Sequence, residues 1–138
     1  MQPSLPPDYR PSEDEEFMNP LQLEYFRQKL LRWRAELLAE STDTLQHLQE
    51  ESLLQPDLTD RASLETERAI ELRTRARERR LISKIDAALL RIEDGSYGYC
   101  EETYEPIGIR RLEARPIATL SIEAQERHER IERTHRDD

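Results

Sequence analysis

Asp57-Leu58-Thr59-Asp60-Arg61-Ala62 breaks the chain between two stretches that otherwise read as continuous helix. Residues 21–55 and 57–94 contain neither glycine nor proline, and Pro56 stands alone at the junction. Two helices of ~35 residues, each ~50 Å long at 1.5 Å per residue, fold back as an antiparallel hairpin when the connection is this short. The turn, residues 55–62, then carries two carboxylates, Asp57 and Asp60. An aspartate at a helix start is also an ordinary turn or N-cap residue, so at this point both readings stand.

Composition agrees with long helices. Of 138 residues, 37% are charged and only 36% apolar, against ~25% and ~45–50% in ordinary globular domains. Ala, Glu, Lys, Leu and Arg make up about half the chain, as in coiled coils. Such a chain builds no large core, so its helices share one narrow seam. The net charge of −9 argues against phosphate-driven binding to naked DNA, which needs basic surface. No apolar run reaches the ~18–20 residues of a membrane span, and no basic-then-apolar leader opens the chain. A cytoplasmic protein without an internal disulfide is expected, since Cys100 is the single cysteine.

Outward from the turn the organisation is threefold. Residues 1–20 hold five of the eight prolines and the acidic run Glu13-Asp14-Glu15-Glu16. They read as a flexible or extended arm, with Phe17 and Met18 placed to anchor its end. Residues 21–94 form the hairpin. Asn19 is a good N-cap and Pro20 suits the first helical position. Leu23, Phe26, Leu30, Trp33 and Leu37 mark a coiled-coil seam, which is expected to slip at Leu38 and continue through Leu45 and Leu48. On the second helix Leu81, Ile85, Ala88 and Ile92 form the matching stripe. Toward the turn it continues through Arg77, Thr74, Ile70 and Glu67, so the seam turns polar there and the distal half is expected to be the less stable half. Residues 95–138 form a knuckle with one or two short strands, followed by a C-terminal helix capped by Ser121. Gly95 reads as the C-cap of the second helix.

The knuckle run Tyr97-Gly98-Tyr99-Cys100 and the later run Ile107-Gly108-Ile109-Arg110-Arg111-Leu112-Glu113-Ala114-Arg115-Pro116 closely resemble the C-terminal finger of the DksA/TraR family of bacterial transcription factors. Asp57, Asp60 and Ala62 match that family's Asp-x-x-Asp-x-Ala tip. The resemblance spans roughly residues 17–128. It implies a mainly α fold: a long helical-hairpin coiled coil with a zinc-finger-like knuckle and a C-terminal helix.

The resemblance also implies a function. Members bind RNA polymerase through its secondary channel, place the acidic tip near the active site and destabilise open promoter complexes. Ribosomal RNA promoters are inhibited, some biosynthetic promoters are activated, and the alarmone ppGpp strengthens the effect. Carried over by residue, the tip contacts are Asp57, Asp60 and Ala62. Arg77 is the basic coiled-coil contact, with Thr74 and Ala76 where the family has Asn and Asp. Leu81, Lys84 and Arg115 match the ppGpp site, whose fourth position is Gln125 here in place of a lysine.

Cys100, Thr103, Ser121 and Ala124 stand where the family carries four zinc-binding cysteines. A structural zinc needs four S, N or O ligands, and one thiol with two hydroxyls and a methyl is a poor set. His128 and His135 would still leave the site incomplete. A metal-free knuckle held by packing is expected, with no cofactor beyond ppGpp at the polymerase interface. Arg110, Arg111 and Arg115 form a basic cluster that local carboxylates can pair. No nucleophile or general-base pair accompanies the tip, so a non-enzymatic, monomeric regulator is expected. A transcript-cleavage factor of similar shape and a structural coiled-coil adaptor are the alternatives.

Overall fold

The structure, a computed structural model, describes residues 4–53 and 58–137, with side chains at 44, 48, 51–53, 58–60, 136 and 137 outside the description. Four helices follow in order: α1 (Pro20–Leu53), α2 (Leu58–Asp94), α3 (Ile109–Ala114) and α4 (Ile122–Asp137). The chain divides into two compact units, Leu31–Asp86 and a discontinuous one made of Met1–Leu30 with Ala87–Asp138. They are called the coiled-coil unit and the knuckle unit below.

Local chemistry sets the helix ends. The Gln22 N–H donates to Asn19 Oδ1 at 2.9 Å, satisfying an amide that the first turn of α1 cannot pair. At the other end of the pair, Gly95 adopts φ +85°. This lets the N–H groups of Gly95, Ser96 and Tyr97 all converge on the Arg91 carbonyl at 3.0–3.1 Å. The Ser121 hydroxyl accepts from the Ala124 N–H at 3.2 Å and caps α4.

In the coiled-coil unit, Arg34 Nε meets Asp86 at 2.7 Å and His47 Nε2 meets Glu71 at 3.4 Å. Partners ascend α1 while they descend α2, so the two helices run antiparallel. Leu37 and Ile85 are buried. The seam does not slip at Leu38, which is exposed together with Leu45, while Ser41 is half-buried in the position that continues from Leu37. Leu48 has its side chain outside the described residues. On α2 the expected continuation is corrected outright: Arg77, Thr74, Ile70 and Glu67 are all exposed. The inward positions are Ile82, Glu78, Arg75, Glu71, Arg68 and Leu64, an unbroken alternation of three- and four-residue steps. Apolar periodicity could not show this register, because four of the six side chains are charged. Their cost is visible: Arg68 Nε and Nη2, Glu71 Oε2, Arg75 Nε and Glu78 Oε2 are buried without hydrogen-bond partners.

The knuckle unit is built around Phe26, Leu30, Ala88, Tyr97, Cys100, Ile107, Ile109, Leu112 and Ala124. Among the described residues, the expected strands reduce to one antiparallel bridge, Tyr99 with Pro106. Pro106 has no N–H to extend a ladder, and Tyr104 at φ +62° turns the chain tightly. Within the expected knuckle, Ile109–Ala114 forms the short helix α3.

From Tyr9 onward the N-terminal arm is held by specific contacts, in contrast to the flexible arm its composition suggests. Gln22, fully buried, accepts from the Met18 N–H at 2.7 Å and donates to the Ser12 carbonyl at 3.2 Å. Tyr9 donates to Glu15 at 2.8 Å and packs edge-on against Tyr25. Phe17 meets Tyr99 edge-on with ring centroids 5.4 Å apart. Phe17 and Met18 thus anchor the arm at the positions expected of them.

Candidate functional site

The acidic turn comes first. Asp57 lies outside the described residues. Asp60 falls in the first turn of α2, with its side chain outside them as well, and Ala62 is exposed on the same helix.

Farther along α2, Arg77 and Lys84 are exposed, and Leu81 is half-buried between them. Arg73 and Arg80 are exposed too. Residues 73, 77, 80 and 84 follow each other in steps of four, three and four, which places all four cations on one face, turned away from the seam. None of the four forms an ion pair among the described residues. In an acidic chain this stripe is a local positive field fit for an anionic surface or ligand. Arg73 and Arg80 were missed by residue-wise matching. The spacing of the cations was the signal that would have found them.

The four finger positions lie in the knuckle unit. Cys100 is buried. Burial raises its thiol, but hydrogen bonds from the Thr103 hydroxyl and from the backbone N–H groups of Ser121, Thr103 and Glu102 outweigh this and bring it down to about 6. The cradle therefore suits a thiolate. The other positions are committed elsewhere or inert. Thr103 Oγ1 also accepts from the Glu105 N–H, Ser121 Oγ caps α4, and Ala124 offers no donor atom. Among the described residues, no three His, Cys, Asp or Glu side chains converge as a metal site. This set does not fit a four-ligand structural zinc. His128, weighed as a replacement ligand, pairs instead with Glu102, whose hydrogen bond and charge raise the imidazole above its ordinary range.

Hydrogen bonds and ion pairs within the knuckle unit tie its elements together. Tyr97, its phenol pushed upward by burial, donates to the Pro116 carbonyl at 2.8 Å. Lys29 of α1 reaches Glu113 of α3 at 2.6 Å and the Glu113 carbonyl at 3.0 Å, and Tyr25 donates to the same carboxylate. Burial raises the Glu113 carboxyl, yet the Lys29 and Tyr25 hydrogen bonds hold it below its ordinary value. Within the arginine cluster, Arg111 donates to the Leu120 carbonyl at 2.9 Å. Arg110 and Arg115 are exposed, and neither pairs with a carboxylate among the described residues. Local pairing therefore does not account for the cluster. Leu81 and Lys84 belong to the coiled-coil unit, while Arg115 and Gln125 belong to the knuckle unit.

Residues 22–92 match the family described as DnaK suppressor protein DksA, N-terminal domain, and residues 95–130 match the prokaryotic dksA/traR C4-type zinc finger. A Caulobacter vibrioides protein named RNA polymerase-binding transcription factor DksA is 72% identical over 131 residues, covering 95% of this chain and 92% of the relative. The protein of the same name from Escherichia coli K12 is 48% identical over 117 residues, covering 85% and 78%. Among solved structures, transcription factor DksA2 from Pseudomonas aeruginosa is similar with a TM-score of 0.82 and 44% identity, covering 87% of this chain and 94% of that one.

Proposed function

This chain belongs to the DksA family, and on that footing we propose that it regulates transcription by binding RNA polymerase. The observation that carries the reading is the 72% identity, over 95% of the chain, to a relative named for RNA polymerase binding. The mode of action proposed is insertion of the coiled coil into the secondary channel, with Asp57, Asp60 and Ala62 brought near the active site. Two carboxylates there act by field on a nearby cation, nucleotide or basic side chain. They act by position and carry out no chemistry of their own.

The exposed stripe Arg73, Arg77, Arg80 and Lys84 supports polymerase contact along the coiled coil. ppGpp is proposed to join at Leu81, Lys84 and Arg115. Gln125, which spends its amide on Glu129 at 3.4 Å, supplies no charge there, so that binding is weaker than a lysine would give. One chain engages one polymerase, with no direct reading of DNA sequence, in the cytoplasm. Ribosomal RNA promoters fall and some biosynthetic promoters rise. The knuckle does this without zinc, so a chelator in excess leaves fold and activity unchanged.

The test is transcription from a ribosomal RNA promoter by purified polymerase, comparing wild type with Asp60→Asn, each with and without ppGpp. Wild type inhibits, while Asp60→Asn binds polymerase and inhibits weakly. Equal inhibition by the two proteins would sink the tip mechanism. Shortened transcripts from stalled complexes would show cleavage instead.

A further inference from the structure

The cations of this chain are almost all guanidinium groups: of 21 Lys and Arg residues 19 are arginine, and the two lysines are Lys29 and Lys84. Those two amines are held very differently. Lys29 Nζ is tied at 2.6 Å to Glu113 Oε2 and at 3.0 Å to the Glu113 carbonyl, and it stands 5.8 Å from the centre of the Tyr25 ring. Lys84 is exposed on α2 and takes part in no ion pair among the described residues. Its own helix offers it no carboxylate either. The residues one turn away on each side are Arg80, Leu81, Ala87 and Ala88, and Asp86 is paired with Arg34. In a chain with 30 carboxylates, Lys84 stands beside cations instead.

We propose that Lys84 is an acylation site that takes its acyl group from an acyl phosphate. A lysine amine is the side chain that accepts such a group, with loss of its charge. The neighbouring arginines select the donor. Arg80 lies one turn before Lys84 on the same face, with Cβ atoms ~5–6 Å apart, and Arg77 follows one turn farther back. A guanidinium so placed takes the donor's phosphate in a bidentate grip, which brings the adjoining carbonyl carbon to Lys84 Nζ. The deprotonated amine attacks that carbon. An N–C bond forms, the C–O bond to phosphate breaks, inorganic phosphate leaves with the electron pair, and the nitrogen's extra proton passes to water. The product is a neutral amide in place of one of the four charges of the stripe.

The consequence for regulation rests on the polymerase reading above. With the stripe against polymerase, acylation removes one attraction and weakens binding up to about fivefold. Acyl phosphate then acts at a single point of that surface, because the other three cations are arginines.

Acetyl phosphate is the probe, applied to the full chain, with peptide mass spectrometry scoring the two lysines separately. Lys84 gains acetyl at least about tenfold faster than Lys29, whose amine must first give up two hydrogen bonds made by its charged form. In urea, where the fold is lost, the two rates converge. Arg80→Gln slows the reaction of Lys84 with acetyl phosphate about two- to fivefold, but not its reaction with an uncharged N-hydroxysuccinimide ester of acetate. Equal rates at the two lysines of the folded chain would overturn the proposal. An Arg80→Gln chain that reacts with acetyl phosphate as fast as wild type would overturn the capture of the donor's phosphate. Polymerase binding is then compared between acetylated and untreated wild type. Selective acetylation that leaves binding unchanged would refute the stripe's contact with polymerase while the modification site stands, so the two readings fail separately.

Discussion

Replacing Glu78 with leucine should stabilise the coiled-coil unit. Glu78 is 7% exposed, and its Oε2 is buried without a partner. Leaving such an atom unpaired costs about 1–3 kcal/mol, which the substitution recovers. Burying a leucine there adds about 1.5–3 kcal/mol on transfer scales, less after allowing for a partly collapsed unfolded chain. Swaps of buried ionic groups for apolar ones fall at about 1–4 kcal/mol, so a gain of about 2–3 kcal/mol is expected. With a urea dependence of about 2 kcal/mol per molar, the midpoint moves up by about 1–1.5 M. Urea unfolding followed by circular dichroism reads this directly, and hydrogen exchange shows whether α1 and α2 amides gain protection. Thr74→Leu is the control: on the exposed face it changes stability by no more than about 0.5 kcal/mol. If Thr74→Leu stabilises and Glu78→Leu does not, the inward line runs through residues 67, 70, 74 and 77, and the seam described above is wrong.

Two further outcomes concern the knuckle unit. Gly98→Ala places a methyl 3.0 Å from Met18 Cγ and 3.3 Å from Phe17 Cζ at a backbone φ of +92°. Strain and overpacking together cost about 2–4 kcal/mol, and Met18→Ala in the same chain restores part of the loss in thermal unfolding. Cys100 titrates near 6 in the fold against 9.0 for a free thiol. Its thiolate therefore contributes stability that is fully present above pH 9 and lost as pH falls through 6. The difference in unfolding free energy between wild type and Cys100→Ala should grow over that interval, and a flat difference would show that the cradle holds a neutral thiol.

Much of the helical frame was legible in the sequence because its signals are local. Asn19 with Pro20, Gly95 and Ser121 each act through one or two hydrogen bonds to nearby backbone, and each does what its residue type favours. The coiled-coil register was legible only where the seam is apolar. Beyond Ile85 the inward positions on α2 are mostly charged, while Ile70 at 50% exposure imitates a core residue on the wrong face. Leu38 and Leu45 misled on α1 for the same reason, since they belong to a different face. Proline content and acidity made the arm read as solvated, because composition does not show that Gln22, ten residues away, latches the Ser12 carbonyl. At the functional site, the vacancy of the cysteine positions could be read directly. The thiolate cradle could not, since it is made of backbone N–H groups contributed by two separate segments.

The knuckle unit joins residues 1–30 to residues 87–138, with the coiled-coil unit inserted between them in the chain. Phe17 cannot find Tyr99, nor Lys29 find Glu113, until that long insertion has brought its ends together. An open chain would meet the full entropy of closing so large a loop. A folded antiparallel pair meets most of it in advance, through contacts that are themselves local to a turn. The coiled coil is therefore the clasp on which assembly of the knuckle waits. Stiffening that charged seam should therefore hasten the folding of the knuckle unit.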